Sequence, residues 1–370
     1  MDRIVITEFN AVCNLGGSID EIYSRAISGD CSHFDLIDIE GKLFRVAKVK
    51  TNLSEIVSQD FNIRTNQLIL KALEKINVKK LIEKYGQKQI AVVASTTNSG
   101  VEEFEMTNNI KQVVIGNSAE FVRNYYGLKN YYTSVSTACS SGIKAFQIAR
   151  ELLKSGFAQA VLIVSGDALT KVPLFGFDSL GILSQKQSVS FSKNREGINI
   201  GEGAAVFILE KNQQGIEILG IGETTDVYHS TTPDPNGIEA RRAIELALSD
   251  AKINSDEIDY INLHGTGTIA NDEMESKAVY GVFNDSVPAS SLKPMIGHLL
   301  GASASVEVAI SCKLFGEKLI FPHVYDGIYD EILPKINLAK QNYTSKTVKT
   351  ILKTSFGFGG TNCAIVLRKD

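Results

Sequence analysis

Residues 134–142 have the sequence SVSTACSSG and contain the turn on which the predicted fold depends. β-Branched and aromatic residues lead into this stretch, which is typical of a buried strand. Apolar residues then recur at helical spacing from Ile143 until Gly156, which predicts a helix. The sequence therefore places Cys139 where a strand turns sharply into the first turn of a helix.

Cys139 is a candidate nucleophile because of that position. The unpaired N–H groups and the dipole at a helix N-terminus favour an anion, so we expect a lowered pKa for its thiol. A thiolate at such a corner can hold a covalent intermediate. The alternative is a small core residue, the commoner role of a lone cysteine, and the local sequence leaves both interpretations open.

The composition limits the class of protein. The chain has 370 residues, 44% of them hydrophobic, which is typical of a soluble globular protein with one large or two fused domains. The net charge of −4 gives no reason to expect nucleic acid or an anionic membrane as a partner. Residues 1–7 predict a strand rather than a signal peptide, and no apolar run is long enough to cross a bilayer. The five cysteines show neither metal-ligand spacing nor a disulfide framework, so we expect a reducing compartment, the cytoplasm.

Strands and helices are predicted to alternate along the chain, which favours an α/β fold with buried, largely parallel sheets. Strands are expected at 3–7, 89–94, 132–135, 160–164, 204–209, 216–221, 258–263, 347–353 and 363–367, and helices at 18–27, 64–76, 117–126, 140–155, 272–283 and 299–315.

The later part of the chain repeats the plan of the earlier part. The strand at 258–263 ends in a polar loop, and the helix at 299–315 follows a turn as the helix after Cys139 does. We therefore expect two similar halves fused into one unit. Residues 1–211 carry the candidate nucleophile, and residues 212–370 carry two candidate histidines.

His264 and His298 fall at equivalent positions in Gly-bearing turns beside an apolar strand or helix. Open α/β folds place their sites at the carboxyl ends of strands. A single histidine is more often a structural residue, but two in corresponding turns favour a functional pair. A zinc site is a less favoured alternative, because the two lie far apart in the chain without a second local ligand.

Charged residues near these histidines have two interpretations each. Lys293 is either solvated or a fixed cation that shifts the pKa of a neighbour. Glu307 lies in a helix of small and apolar residues, where a carboxylate should be paired or bind a ligand. Asp272 and Glu275 open an earlier helix, where capping of its first turn explains them equally well.

Residues 355–362, with the sequence SFGFGGTN, form a glycine-rich segment between two predicted strands. No helix follows it, which argues against a phosphate-binding loop. Its glycines allow a close backbone approach with a free N–H, so an oxyanion donor is one interpretation. A tight hairpin is the other.

Together these segments resemble the β-ketoacyl-acyl carrier protein synthase family, ketosynthases of thiolase-like fold. The matching segments are TACSSG (137–142), HGTGT (264–268), KPMIGH (293–298) and GFGGTN (357–362), with NIGEGA (199–204) as a further similarity. The resemblance is specific because four motifs occur in the family's order. It implies a thiolase-like fold, with two similar βαβαβ-type halves in a layered αβαβα arrangement.

The resemblance also implies a decarboxylative Claisen condensation. Cys139 would take an acyl chain from acyl carrier protein as a thioester, and malonyl-acyl carrier protein would lose carbon dioxide and attack it. The product would be β-ketoacyl-acyl carrier protein. His264 and His298 would assist decarboxylation, and Lys293 would support them electrostatically. The backbone N–H groups of Cys139 and Phe358 would form the oxyanion hole, with Phe358 also acting as a gate.

Further roles follow from the same resemblance. Supporting roles are implied for Thr266, Thr268, Asp272, Glu275 and Glu307. Glu307 with Asn262 would hold a monovalent cation, as in some members of the family. No catalytic metal and no cofactor is expected.

The two histidines are similar to those of the elongating type II enzymes. Partners would be acyl-loaded and malonyl-loaded acyl carrier protein, and a second copy of the chain in a homodimer. Residues 64–66 and 175–180 look more like the aryl-polyene and related polyketide ketosynthases, which can pair with an inactive chain-length-factor-like homologue. A heterodimer is therefore the alternative.

The chain is shorter than is usual for an elongating enzyme, at 35–62 and 100–117, regions that the family uses for its pocket, dimer contact and carrier docking.

Two other functions are alternatives to condensation. A malonyl decarboxylase or acyl transferase would use the same residues but release its product without condensation. A non-catalytic partner subunit would need none of the Cys-His-His-Lys set, so its presence argues against that function.

Overall fold

Two five-stranded halves with the same strand order form the sheet of this protein, whose computed structural model describes residues 3–370. The strands are β1 (Ile4–Val12), β2 (Asp35–Ile39), β3 (Lys42–Ala47), β4 (Ile90–Ser95), β5 (Tyr132–Val135), β6 (Ala160–Asp167), β7 (Ile200–Gly201), β8 (Gly203–Lys211), β9 (Ile216–Thr225), β10 (Tyr260–Asn262), β11 (Ala289–Ser290), β12 (Thr350–Gly357) and β13 (Thr361–Arg368). The helices are α1 (Ile19–Ile27), α2 (Arg64–Leu73), α3 (Val78–Tyr85), α4 (Val101–Thr107), α5 (Ile110–Val113), α6 (Asn117–Tyr125), α7 (Ser141–Lys154), α8 (Lys171–Ser179), α9 (Ile238–Ala251), α10 (Ile269–Phe283), α11 (Lys293–Ile296) and α12 (Ser303–Cys312), with single 3-10 turns at Ser255–Glu257 and Leu300–Ala302.

The order β5-β4-β6-β8-β1 in the first half matches the order β11-β10-β12-β13-β9 in the second. β1 and β9 connect the halves through the pairs Val5 with Glu217 and Ile6 with Ile216. The small sheet β2-β3-β7 lies apart from them. This repetition confirms the predicted α/β fold with two similar halves.

The expectation of largely parallel sheets is wrong, because each half is mixed. β4 runs parallel to β5 and β6, and β10 runs parallel to β11 and β12. The pairings of β8 with β6 and β1, and of β13 with β12 and β9, are antiparallel. β12 and β13 are joined by a turn of three residues, and strands joined by so short a turn must run antiparallel.

Helices and sheet halves form the expected five layers. α7 and α12 lie between the two halves, where α7 contacts β4, β6 and β13, and α12 contacts β8, β1 and β12. α2 and α6 cover the outer face of the first half, and α9 covers that of the second with α10 against it. Buried apolar side chains fill all the spaces between these layers. The central helices carry the segments that follow Cys139 and His298, so the layering brings the two motifs together.

Several elements differ from their predicted bounds. Residues 35–47 form the hairpin β2–β3, and residues 101–113 form the short helices α4 and α5, in regions for which we predicted no element. α8 was also not predicted, because Pro173 and Gly176 interrupt any helical pattern in its sequence. None of the helices in residues 3–370 combines the length and hydrophobicity that a membrane-spanning segment requires.

Candidate active site

Cys139 lies in the corner between β5 and α7. The corner is tight because Ala138 has a φ of 51°, in the left-handed region that non-glycine residues rarely adopt. Two hydrogen bonds stabilise it: the Thr137 N–H donates to Ser141 Oγ at 2.8 Å, and the Ser355 hydroxyl donates to the Cys139 carbonyl at 2.8 Å. α7 begins at Ser141, so Cys139 precedes the helix by two residues instead of lying in its first turn.

His298 contacts the thiol directly. Its Nε2 lies 3.0 Å from Cys139 Sγ, and its Nδ1 accepts a hydrogen bond from the Leu300 N–H at 3.0 Å. A neutral imidazole carries one proton, so the Leu300 contact assigns that proton to Nε2. His298 therefore presents an N–H donor to the sulfur.

His264 faces the same space from the second half of the sheet. Its ring lies 5.6 Å from the ring of His298 and nearly perpendicular to it. Lys293 Nζ lies 3.4 Å from His264 Nδ1 and donates to Glu307 Oε1 at 2.8 Å. The structure thus brings the cysteine, both histidines and Lys293 to one place, although they come from three separate segments of sequence.

The thiol of Cys139 does not have the lowered pKa that its position before a helix suggested. Burial raises this pKa to about 11, because the side chain is only 7% exposed and a thiolate loses its hydration there. The positive charge of Lys293 and the backbone N–H groups of Phe358 and Cys139 oppose the shift without cancelling it. Desolvation therefore outweighs the helix N-terminus in the free protein.

Both histidines are neutral at ordinary pH. Burial, followed by the positive charge of Lys293, holds the pKa of His264 well below its usual value of 6.5. Burial, followed by the positive charge of Lys293, also lowers the pKa of His298. Two neutral rings can each offer an N–H to a substrate oxygen, and neither adds a charge that would have to be desolvated.

The acidic residues after His264 fix its loop. Glu275 accepts the backbone N–H groups of His264 and Gly265 at 2.7 and 2.6 Å, and the Thr354 hydroxyl at 2.8 Å. Asp272 accepts the Gly267 N–H of that loop at 3.2 Å and the Phe191 N–H at 2.7 Å, and burial raises the pKa of its carboxyl to about 6. Both carboxylates therefore support the loop that carries His264, in addition to the helix capping that the sequence suggested.

The site opens into a cavity of about 300 Å³. Cys139, His264, His298 and Phe358 line it, together with both threonines of the HGTGT motif, Thr266 and Thr268. The Phe358 ring packs against Phe177 of α8, with ring centroids 5.4 Å apart. The half-buried ring of Phe358 thus lines the same cavity as the thiol, and the helix that it contacts is one that the sequence did not predict.

The geometry alone would allow a metal ion between Cys139, His264 and His298, since their ligand atoms lie within 4.8 Å of one another. The ammonium group of Lys293 lies next to His264, which makes the place unfavourable for a second cation. The arrangement of donors and positive charge instead suits a developing negative charge on a substrate.

Two buried charged residues at the site were missed by the sequence analysis. Asp167 accepts the Gly301 N–H at 2.7 Å and so fixes the turn whose Leu300 N–H binds His298. Lys353 lies 2.8 Å from Glu307 Oε2, and burial lowers the pKa of its ammonium to about 8. Each is a charged residue in a buried strand, Asp167 at the end of β6 and Lys353 within β12, and a buried charge has to be paired.

Comparison with known proteins gives matches over most of the chain. Residues 81–215 match the family model "Beta-ketoacyl synthase, N-terminal domain", and residues 216–325 match "Beta-ketoacyl synthase, C-terminal domain". A 3-oxoacyl-[acyl-carrier-protein] synthase 2 of Vibrio harveyi is 32% identical over 288 residues, which cover 73% of this chain and 68% of the relative. Alignments with several such relatives span about two thirds of the relatives' own length.

Solved structures are similar over the whole chain. A ketosynthase in complex with its chain length factor from Xenorhabdus doucetiae is 30% identical, has a TM-score of 0.95, and is matched over 100% of this chain and 98% of that one. A second structure is a type II polyketide synthase acyl-carrier protein in complex with its ketosynthase bound to the hexaketide. It is 25% identical with a TM-score of 0.88, and the match covers 100% of both chains.

Proposed function

The chain belongs to the β-ketoacyl synthase family, and we propose that it condenses an acyl chain held on Cys139 with the malonyl group of a malonyl-acyl carrier protein. The observation that carries the proposal is the convergence of Cys139 and two neutral histidines in one cavity, with the ammonium group of Lys293 beside His264. A site built this way can hold a thioester and stabilise the enolate formed beside it.

In the loading step, Cys139 attacks the thioester of an acyl-acyl carrier protein. Its thiol proton ends on the departing carrier thiol, and the acyl group becomes a thioester of Cys139. The N–H of His298 Nε2 stabilises the sulfur as it becomes negative, which offsets the raised pKa of the free thiol. The backbone N–H groups of Cys139 and Phe358 lie near this sulfur and can bind the thioester oxygen.

In the condensation step, the malonyl group loses carbon dioxide and leaves an enolate. His264 and His298 offer N–H donors to the enolate oxygen, and Lys293 adds a fixed positive charge. The enolate carbon attacks the Cys139 thioester, forming a carbon–carbon bond and releasing the Cys139 thiolate, which takes up a proton. Thr266 and Thr268 line the cavity, where their hydroxyl groups can bind the part of the carrier protein that bears the malonyl group.

Acyl carrier protein and a dimer partner complete the proposed assembly. Relatives of this fold are seen with an acyl-carrier protein and with a chain length factor. β5 pairs only with β4 within residues 3–370, and it carries the partly exposed Tyr132 at that sheet edge. An unpaired edge with an exposed aromatic ring suits pairing with a second copy or with a homologue.

The five free cysteines support a reducing compartment, the cytoplasm.

The test is the intact mass of the protein after incubation with acyl-acyl carrier proteins of several chain lengths. We expect the mass of one acyl group to be added to the unmodified protein and not to Cys139→Ala. Malonyl-acyl carrier protein should then discharge the acyl group as β-ketoacyl product. Release of acetyl product without condensation would indicate a decarboxylase, and absence of loading by any chain would contradict the proposal.

A further inference from the structure

Lys353 is a buried lysine that the reaction proposed above does not use. Its side chain is fully buried in β12, beside Asn262 of β10. Its ammonium donates to the Leu263 carbonyl at 3.1 Å and lies 2.8 Å from Glu307 Oε2, the latter as an ion pair without directed hydrogen-bond geometry. A buried ammonium is costly unless it is paired, so these neighbours hold a positive charge at this position.

Glu307 connects Lys353 to the histidines. Its other oxygen, Oε1, accepts from Lys293 at 2.8 Å, and Lys293 in turn lies 3.4 Å from His264 Nδ1. The carboxylate therefore lies between two ammonium groups, and the cluster of three side chains has a net positive charge. Without Lys353, the negative charge of Glu307 would act on Lys293 alone and weaken the positive field at His264.

The same place was expected to hold a monovalent cation, bound by Glu307 and Asn262. Both oxygens of Glu307 already contact ammonium groups, so a bound cation would be a third positive charge around one carboxylate. The side-chain amide of Asn262 has no hydrogen-bond partner among residues 3–370. A neutral amide oxygen is a weak ligand against two neighbouring ammonium groups, so the residues present do not fit the cation.

We propose that Lys353 is a positioning residue which supplies, as a side chain, the positive charge that a monovalent cation was expected to supply. It neutralises Glu307, so that Lys293 stays directed at His264 and the histidine pair functions without bound Na⁺ or K⁺. The inference concerns the same site and rests on the proposed condensation. Lys353 lies outside the four motifs that carry the family resemblance.

The test compares the unmodified protein with Lys353→Ser in KCl, NaCl and tetramethylammonium chloride at equal ionic strength. The unmodified protein should condense at the same rate in all three salts. Lys353→Ser should be slower by about tenfold or more in tetramethylammonium, because Glu307 loses one of its two partners. K⁺ or methylammonium should restore part of that rate, since each fits the space that the lysine vacates. Lys349→Ser, at an exposed lysine near the start of the same strand, is the matched control and should show neither effect.

Melting temperature gives a second readout that does not need condensation. K⁺ and methylammonium should raise the melting temperature of Lys353→Ser and leave those of the unmodified protein and Lys349→Ser unchanged. This readout separates the inference from the proposed function, because it remains informative if no condensation is found. A dependence of the unmodified protein on K⁺, in rate or in melting temperature, would overturn the inference.

Lys353→Met covers the case in which the serine variant does not fold. Methionine keeps most of the volume of the side chain and removes the charge, so the variant should fold, be slow, and fail to respond to K⁺ because its side chain fills the space. A Lys353→Met variant with the rate of the unmodified protein would show that the charge has no positioning role.

Discussion

At the scale of single residues, the state of the Cys139 thiol decides how the site works. Its pKa of about 11 means that the free protein holds a thiol, so in the proposed reaction the thiolate forms only as a substrate is attacked. His298 offsets the raised thiol pKa with an N–H donor at Nε2. The Leu300 N–H binds Nδ1 and so fixes this tautomer of the ring. Such a cysteine is protected from side reactions while no acyl donor is bound.

The rate of Cys139 alkylation by iodoacetamide should therefore rise with pH without a plateau. Between pH 7 and 10 the thiolate fraction, and with it the rate, should increase by about tenfold per unit, because the pKa lies above this range. Intact mass with peptide mapping measures the rate at Cys139, and circular dichroism confirms that the fold persists. A plateau near pH 7 would show that the helix N-terminus outweighs burial after all.

At the scale of elements, the contact between α7 and α12 brings Cys139, the proposed nucleophile, and His298 together. Gly142 in α7 faces Ser305 in α12, and a Cβ at position 142 would lie 2.6 Å from the Ser305 backbone nitrogen. No real Cβ makes so short a contact, so the two helices would have to separate. Gly142 thus allows the two helices of the central layer to pack closely against each other.

Gly142→Ala should lower the free energy of unfolding by about 1–3 kcal/mol, despite the better helix propensity of alanine. Urea unfolding measures this change. Gly176→Ala in α8 is the matched control, because Gly176 is also helical and a Cβ there would meet no atom within 4 Å. The control should be neutral or slightly stabilising, and equal stability of the two variants would contradict the close packing of α7 and α12.

At the scale of the whole molecule, the two ends of the ten-stranded sheet differ, because the outer strand of the second half, β11, is bridged at Ala289 by Leu338. The first half ends in β5, whose outer edge has no neighbouring strand within residues 3–370. Tyr131 and Tyr132 at the start of this strand are 47% and 38% exposed, and Phe157 packs edge-on against Tyr131. An aromatic cluster beside an open edge is the kind of surface that a dimer buries.

We expect the isolated protein to have a mass in solution near twice that of the 40.3 kDa chain. Tyr132→Asp should shift it toward a single chain, because a carboxylate at the edge would be buried without a partner. Ile328→Asp, at a similarly exposed apolar residue of the second half, should leave the mass unchanged. Light scattering after size exclusion measures all three, and a single-chain mass for the unmodified protein would contradict a homodimer.

The family, the fold class and the candidate residues followed from the sequence alone. Cys139, His264, His298 and Lys293 lie in short motifs, and the alternation of strands and helices indicated two similar halves. These signals are local, since a motif or a periodic pattern depends on residues that are neighbours in the chain. Their order along the chain was enough to predict a ketosynthase.

Only the tertiary structure decided the protonation states of Cys139 and the histidines, the mixed strand directions of the sheet, and the contact of Lys353 with Glu307. The thiol pKa rises because the layers bury Cys139, and a helix end visible in the sequence does not reveal that cost of desolvation. Lys353 meets Glu307 only because β12 lies beside the central helix α12, and the two residues are far apart in sequence. Burial and long-range pairing arise when distant segments pack together, and for this reason no local pattern in the chain determines them.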